Sequence, residues 1–138
     1  MITLTDQMRE MVDNALANGV PCILATVSAK GEPNIGYKGS TMVFDNESLA
    51  YWERTRRQHL KNLQENSLVV VLFRDPKTRV NWRFHGKATV HEKGPIRDQV
   101  MARTVKDELE KDPERKGSAV IIRVDKITNL AGEVLQTR

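Results

Sequence analysis

The densest group of chemically useful side chains lies at residues 53–66, which read ERTRRQHLKNLQEN. Four arginine or lysine residues and one histidine fall within these fourteen positions. Such a segment can be a solvated basic face, a nucleic-acid-binding patch or a cradle for a small phosphate. The phosphate alternative has a physical basis, because the free N–H groups and the dipole at a helix start favour an anion.

The charges of this segment take different angular positions if it forms a helix over residues 55–66. At about 100° per residue, the two leucines of that helix form an apolar stripe. Arg56 falls between the leucines and His59 lies beside them, so we predict both at a seam where a ligand can lie. Arg57 and Lys61 point away from the stripe and are predicted to face water.

Two further positions place polar groups where they could serve a ligand. Lys38 lies between two glycines in GYKGS, and glycine lets the backbone approach a ligand closely. The fragment lacks the spacing of a P-loop, and a bulged strand is the alternative. Asn81 and Arg83 lie on the polar side of a predicted strand, where they face solvent, a partner subunit or a ligand.

Residue types and spacing do not support several other kinds of site. His59, His85 and His91 form no H-x-x-x-H pair and the chain has one cysteine, so no metal site is predicted. No serine stands in a G-x-S-x-G context, and no catalytic acid, base or nucleophile can be assigned. Cys22 lies in the apolar run VPCILATV and is predicted to be a small buried hydrophobe.

Hydrophobic periodicity predicts three helices and six or seven strands. Thr5 is suited to cap the first helix, and Gly19 is suited to end it. The predicted helices cover residues 5–18, 55–66 and 95–111, and the predicted strands cover residues 22–29, 35–44, 49–53, 67–74, 80–91 and 118–127.

The strands differ in how their side chains alternate. Residues 67–74 form a β-branched run without polar alternation, which predicts that both faces are covered. Residues 80–91 alternate between apolar and polar positions, and Gly86 in the middle indicates a bend or a close approach. Because most turns are short, neighbouring strands are expected to be antiparallel, and a small barrel fits the pattern.

Length and composition set the class of protein. The 138 residues are 39% hydrophobic and 29% charged, which predicts one globular domain over residues 1–138. The net charge of +4 is compatible with an anionic ligand but too small to indicate nucleic acid by itself. The polar N-terminus does not resemble a signal peptide, and no apolar run approaches the ~20 residues of a membrane span. We therefore expect a cytoplasmic protein.

The order of the motifs is more informative than any one of them. LATVSAKGEPNIGYKGSTMVFDNESLAYWERTRRQHLKNLQENSLVVVLF, followed by RVNWRFHGKATV, resembles the pyridoxamine 5′-phosphate oxidase-like, FMN-binding split-barrel family. The resemblance covers roughly residues 20–91, and the following tail looks like one small branch of the same family. It implies a mainly β fold, a six-stranded antiparallel split β-barrel with flanking helices. It also implies a homodimer with one FMN in each of two clefts between the subunits.

The resemblance assigns several positions to the cofactor. Trp52 and Glu53 match the flavin-side strand end, and Asn81 matches a glutamine that reaches the cofactor. The segment from Lys38 to Thr41 matches the strand that holds the flavin ring and phosphate. The complete set of implied FMN-binding residues is Lys38, Gly39, Ser40, Thr41, Trp52, Glu53, Arg56, Arg57, Gln58, His59 and Asn81.

Two departures from the family pattern affect the expected chemistry. Gln58 and His59 replace an arginine–lysine pair that binds the phosphate, so its charge must be met by Lys38, Arg56 or Arg57. The C-terminal substrate motif, an RLHDR-like run, is missing. The resemblance therefore implies an FMN-dependent oxidoreductase with an unknown small substrate rather than a true pyridoxine phosphate oxidase.

Two other functional classes remain open from the residues. The same fold could bind a deazaflavin or haem, for which His91 is a weak candidate axial ligand. A non-enzymatic module could bind nucleic acid through residues 54–61, although this patch lacks interleaved aromatic residues for base stacking.

Overall fold

The structure is a computed structural model that describes all 138 residues. No helix is both long enough and apolar enough to cross a membrane. The helices are α1 (Asp6–Asp13), α2 (Gln58–Glu65), α3 (Pro95–Arg103) and α4 (Lys106–Leu109). The strands are β1 (Cys22–Val27), β2 (Pro33–Lys38), β3 (Met42–Val43), β4 (Ser48–Glu53), β5 (Leu68–Asp75), β6 (Val80–His91), β7 (Ser118–Thr128) and β8 (Val134–Thr137).

All eight strands belong to one antiparallel sheet. Its order is β2-β1-β5-β6-β7-β4-β3, and β8 pairs with the end of β7. The predicted mainly β, antiparallel split barrel with flanking helices is confirmed, but the count of six strands is wrong. The predicted strand over residues 35–44 is divided into β2 and β3 by a turn that begins at Gly39, and the C-terminal tail forms β8.

Helix α1 closes one side of the core. The Thr5 hydroxyl accepts a hydrogen bond from the Met8 N–H at 3.2 Å, which confirms the predicted cap. Met8 and Val12 are buried in the main core. The helix ends at Asp13, earlier than predicted, and turns continue to Gly19, whose φ of 74° is easily adopted by glycine.

The long strand β6 supplies the centre of the main core. Trp82 and Phe84 are buried there, as the alternating pattern predicts. The pairing of β6 with β7 shifts register between His85 and Gly86, and a Cβ at Gly86 would overlap the carbonyl oxygen of Arg123. Glycine is therefore required at this bulge, in agreement with the predicted close approach.

A second, smaller core lies on the other side of β4. It is formed by Val100 of α3 with Trp52, Ala50, Ala119 and Met42. The single helix predicted over residues 95–111 is wrong, because the chain leaves the helical conformation at Thr104 and starts α4 two residues later.

One face of the sheet is left without cover. In β5, Val69 and Val71 are buried, whereas Leu68 is exposed and Val70 is half-buried. The prediction that both faces of this strand are covered is therefore wrong within one chain. The strand register continues this face across β1 and β2, and we call it the open sheet face: Ile23, Ala25, Ile35, Tyr37, Leu68, Val70 and Leu72.

Candidate functional site

A buried ion pair lies at the end of the barrel where β2 and β4 finish. The Lys38 Nζ lies 2.8 Å from Glu53 Oε2, and Glu53 is 0% exposed. The second carboxylate oxygen of Glu53, Oε1, has no hydrogen-bond partner. Burying a charge pair with an unsatisfied oxygen contributes little to stability and is more typical of functional sites.

His59 completes this group, which we call the charged cluster: Lys38, Glu53 and His59. Burial lowers the pKa of the imidazole, the Lys38 ammonium lowers it further, and Glu53 opposes both effects. His59 is therefore a neutral imidazole at pH 7 in the free protein. Gly36 leaves room for the ring, because a Cβ there would lie 3.2 Å from His59 Nε2.

Hydrogen bonds to the sheet fix the orientation of His59. Its Nδ1 lies 2.8 Å from the hydroxyl oxygen of Thr26 on β1. The Asn62 amide donates to the same hydroxyl oxygen at 3.0 Å, and the Gln58 amide donates to Asn62 Oδ1 at 2.7 Å. Thr26 and Asn62 are buried, so this network joins the first turn of α2 to the barrel.

The start of α2 has no cap of its own. The helix begins at Gln58, three residues later than the predicted start, and no side chain caps it at Arg57. The N–H groups of Gln58, His59 and Leu60 have no backbone acceptor, and the first turn holds no acidic residue. Such a terminus is suited to an anion.

The arginines before α2 have different partners. Arg56 has a φ of 51° and turns back over the sheet end, where it donates to Ser118 Oγ at 2.9 Å and pairs with Glu92 at 2.9 Å. Its guanidinium makes no hydrogen bond to the charged cluster. Arg57 is exposed and forms no ion pair. The exposed position of Arg57 agrees with the helical-wheel prediction, whereas Arg56 is not part of the helix.

The turn between β2 and β3 is held to the end of β4. Ser40 Oγ accepts from the Trp52 N–H at 2.9 Å and donates to the Trp52 carbonyl at 3.1 Å, so it replaces a strand pairing. The Thr41 hydroxyl donates to the Lys38 carbonyl at 2.7 Å. Between the two strands is a small cavity of about 50 Å³, lined by residues 37–40, residues 52–55 and Glu108. We call it the β2–β4 cleft.

The family of the protein follows from its sequence. The sequence profile of pyridoxamine 5′-phosphate oxidase matches residues 4–129. The chain belongs to the pyridoxamine 5′-phosphate oxidase family. No curated protein matches it in sequence.

Solved structures have the same fold as this family member. HupZ from Group A Streptococcus is 28% identical with a TM-score of 0.77, covering 96% of this chain and 98% of that chain. An FMN-binding protein from Syntrophomonas wolfei subsp. wolfei is 18% identical with a TM-score of 0.69, covering 90% and 86%. The heme storage protein HutZ from Vibrio cholerae is 17% identical with a TM-score of 0.69, covering 96% and 98%. The last two likenesses concern the fold alone.

Two of the residues assigned from the family resemblance lie apart from the charged cluster. The indole of Trp52 faces the smaller core, where its Nε1 donates to Asp112 at 2.9 Å. The side chain of Asn81 accepts a hydrogen bond from the Leu130 N–H at 2.7 Å. Asn81 is on the side of β6 opposite the buried Trp82, whereas Lys38 points inward to Glu53.

The remaining histidines and the cysteine form no further site in this family member. His85 lies 3.2 Å from the Thr128 hydroxyl on the side of β6 that faces away from the core. Nowhere do three or more His, Cys, Asp or Glu side chains come together as metal ligands. Cys22 is buried in the main core, as predicted, and burial raises its pKa to about 12.

Sequence reasoning missed Thr26, Asn62 and Glu108, and it did not predict the partner of Arg54. Thr26 and Asn62 are buried polar residues, and their mutual hydrogen bond explains their burial. Arg54 and Glu108 form an ion pair at 3.2 Å across 54 positions of the chain. No local pattern indicates such a long-range pair.

Proposed function

We propose that the protein is an FMN-binding flavoprotein that transfers electrons or a hydride to or from a small substrate. The observation that carries this proposal is the uncapped start of α2 directly beside the charged cluster. Family membership supports the choice of cofactor. The flavin supplies the redox chemistry, and the protein supplies binding, orientation and electrostatics.

The phosphate of FMN fits the start of α2 by charge and by donor geometry. The free N–H groups of the first turn and the helix dipole favour a dianion. Arg57 adds a guanidinium that no acidic residue neutralises, and His59 adds an imidazole. Lys38 is neutralised by Glu53, so Arg57 is the main charge offered to the phosphate.

The ring of FMN fits the polar groups of the charged cluster. The flavin edge presents an N–H donor between two carbonyl acceptors. Glu53 Oε1 is buried without a donor, and the Lys38 ammonium has hydrogens left after its bond to Glu53. These two side chains therefore complement the flavin edge and would orient the ring. No side chain of the site is assigned as a catalytic acid or base.

We further propose that the protein acts as a homodimer through the open sheet face. Ile35 and Tyr37 are 69% and 71% exposed, and a contiguous apolar face of this kind is typical of an interaction site. Asn81 lies on the face of β6 that points away from the core, whereas Lys38 points inward to Glu53, so we infer that Asn81 contributes to a cofactor from the second copy.

The alternatives to FMN are a deazaflavin, haem or a nucleic acid as the ligand. Arg54 and Arg56 are each paired with a glutamate, so residues 54–61 offer less unpaired positive charge than the sequence suggests. That pairing disfavours nucleic-acid binding through residues 54–61.

The visible spectrum of the purified protein, with FMN, deazaflavin and haem each added in turn, tests the proposal. We expect FMN to stay bound through gel filtration and to give a flavin spectrum with quenched fluorescence. A Soret band from retained haem, selective retention of the deazaflavin, or a colourless protein with salt-sensitive RNA binding would contradict it.

A further inference from the structure

The β2–β4 cleft is much smaller than the cofactor proposed for it. Its volume is about 50 Å³, whereas sites for cofactors and other small molecules usually span about 300–1,000 Å³. Two of its walls belong to the sheet: the turn after β2 and the end of β4. The third is the side chain of Glu108, which belongs to the separate helix α4.

The carboxylate of Glu108 fills space that a glycine leaves free. A Cβ at Gly39 would overlap this carboxylate, so Glu108 lies directly against the backbone that follows Lys38. The side chain of Glu108 is only 13% exposed, although no residue of α4 is fully buried. An acidic group is thus held inside the cleft by a short helix at the surface.

The contacts that hold Glu108 in place are weak enough to be replaced by contacts with a ligand. Its Oε2 lies 3.2 Å from Arg54 Nε and 3.9 Å from Lys111 Nζ. The side chains of both partners are partly exposed to solvent, and ion pairs between exposed side chains contribute little to stability. Helix α4 has four residues and no side-chain cap, so it has little stability of its own.

The segment that carries Glu108 is fixed at both ends. Before it, the buried Thr104 hydroxyl donates to the Val100 carbonyl at 2.7 Å. After it, Asp112 accepts from the Trp52 indole at 2.9 Å and from the Gly117 N–H at 2.8 Å. Between these attachments Leu109 is partly buried against the smaller core, so displacement of Glu108 is a rotation of its side chain with a local shift of α4 that leaves both attachments in place.

We propose that Glu108 is an internal anion that closes the β2–β4 cleft and is displaced when the anionic cofactor binds. This regulation rests on the proposed FMN function. When the carboxylate leaves, the cleft widens beside Lys38, and Arg54 loses its partner and can turn to the cofactor. The free protein is thus the closed form, and FMN opens it by competing with Glu108.

The proposal is tested with Glu108→Gln, and Glu110→Gln is the matched control. Glu110 lies on the same segment, is exposed, and pairs only with Lys106 at 3.6 Å. FMN is titrated into each protein and binding is followed by flavin fluorescence. We expect Glu108→Gln to bind FMN about two- to fivefold more tightly than the wild type, because a weak competing ion pair is removed. The control should match the wild type.

Amide hydrogen exchange provides a second readout in the wild-type protein. Exchange at residues 105–111 should become faster when FMN is added. Equal FMN affinity in all three proteins, or exchange that FMN does not accelerate, would overturn the role of Glu108 and leave the FMN function standing. Absence of FMN binding in every protein would overturn the FMN function and this regulation together.

Discussion

Each arginine before α2 has a distinct electrostatic environment. Arg54 pairs with Glu108 and Arg56 pairs with Glu92, whereas Arg57 stands at the helix start without an acidic partner. Identical side chains in one segment therefore differ in how much charge they can offer to a ligand. The difference arises from contacts with residues distant in sequence, so it could not be assigned from the sequence RTRR.

Replacing Arg57 with alanine should weaken FMN binding by about 1–3 kcal/mol, the range for a charge-assisted hydrogen bond. The fold should be unaffected, because the side chain is exposed and makes no ion pair. Fluorescence titration measures the effect. Lys77→Ala removes the same charge from an exposed turn and should leave the affinity unchanged. An equal loss in both variants would mean that Arg57 acts only through net charge.

His59 should make the protein less stable in acid. Burial and Lys38 lower the folded-state pKa of His59 below 6.5. The unfolded chain therefore takes up the proton first, and stability falls as the pH drops below about 6.5. His85, whose pKa is lowered by burial, Lys126 and Arg83, adds to the same trend.

Urea unfolding at pH 7 and pH 5 measures this effect of His59. The stability lost between the two pH values should be smaller in His59→Gln than in the wild type. It should be smaller again when His85→Gln is added. A wild-type loss that His59→Gln does not reduce would show that the imidazole is not held neutral by its surroundings.

Among the elements, those with a strong local pattern are the most predictable. Strand β6 is predicted at residues 80–91 and found at Val80–His91, because its alternation and the required glycine are visible in the sequence. The first turn of the helix predicted at residues 55–66 is not formed, since Arg56 turns back to Ser118. The interruption at Thr104 has no glycine or proline to mark it.

The loop after α4 depends on one buried carboxylate. Asp112 accepts hydrogen bonds from the Trp52 indole and from the N–H groups of Lys116 and Gly117, at 2.8–3.0 Å. Asp112→Asn removes the charge that strengthens all three bonds. We expect it to lower the free energy of unfolding by about 2 kcal/mol. Chemical denaturation measures this loss, and Asp107→Asn, on the exposed side of α4, should cost less than 0.5 kcal/mol by the usual range for surface changes.

For the whole molecule, the sequence predicts more burial than one chain provides. The run LVVVLF predicts a strand covered on both faces, and the chain covers only the side of Val69 and Val71. The other side carries the open sheet face. The sequence pattern shows that a residue is apolar but not which chain covers it, and this discrepancy supports the proposed second copy.

The proposed homodimer predicts that one charge on the open sheet face separates the subunits. Ile35→Glu places a carboxylate at the centre of β2, where it faces Ala25 across the pair and does not line the β2–β4 cleft. Sedimentation should show a dimer for the wild type and a monomer for this variant, whereas Leu135→Glu, on the separate strand β8, should remain a dimer. In the proposed dimer Asn81 reaches a cofactor from the second copy, so the monomer should also bind FMN more weakly than the wild type. A monomeric Ile35→Glu that binds FMN as tightly as the wild type would place the complete site within a single chain.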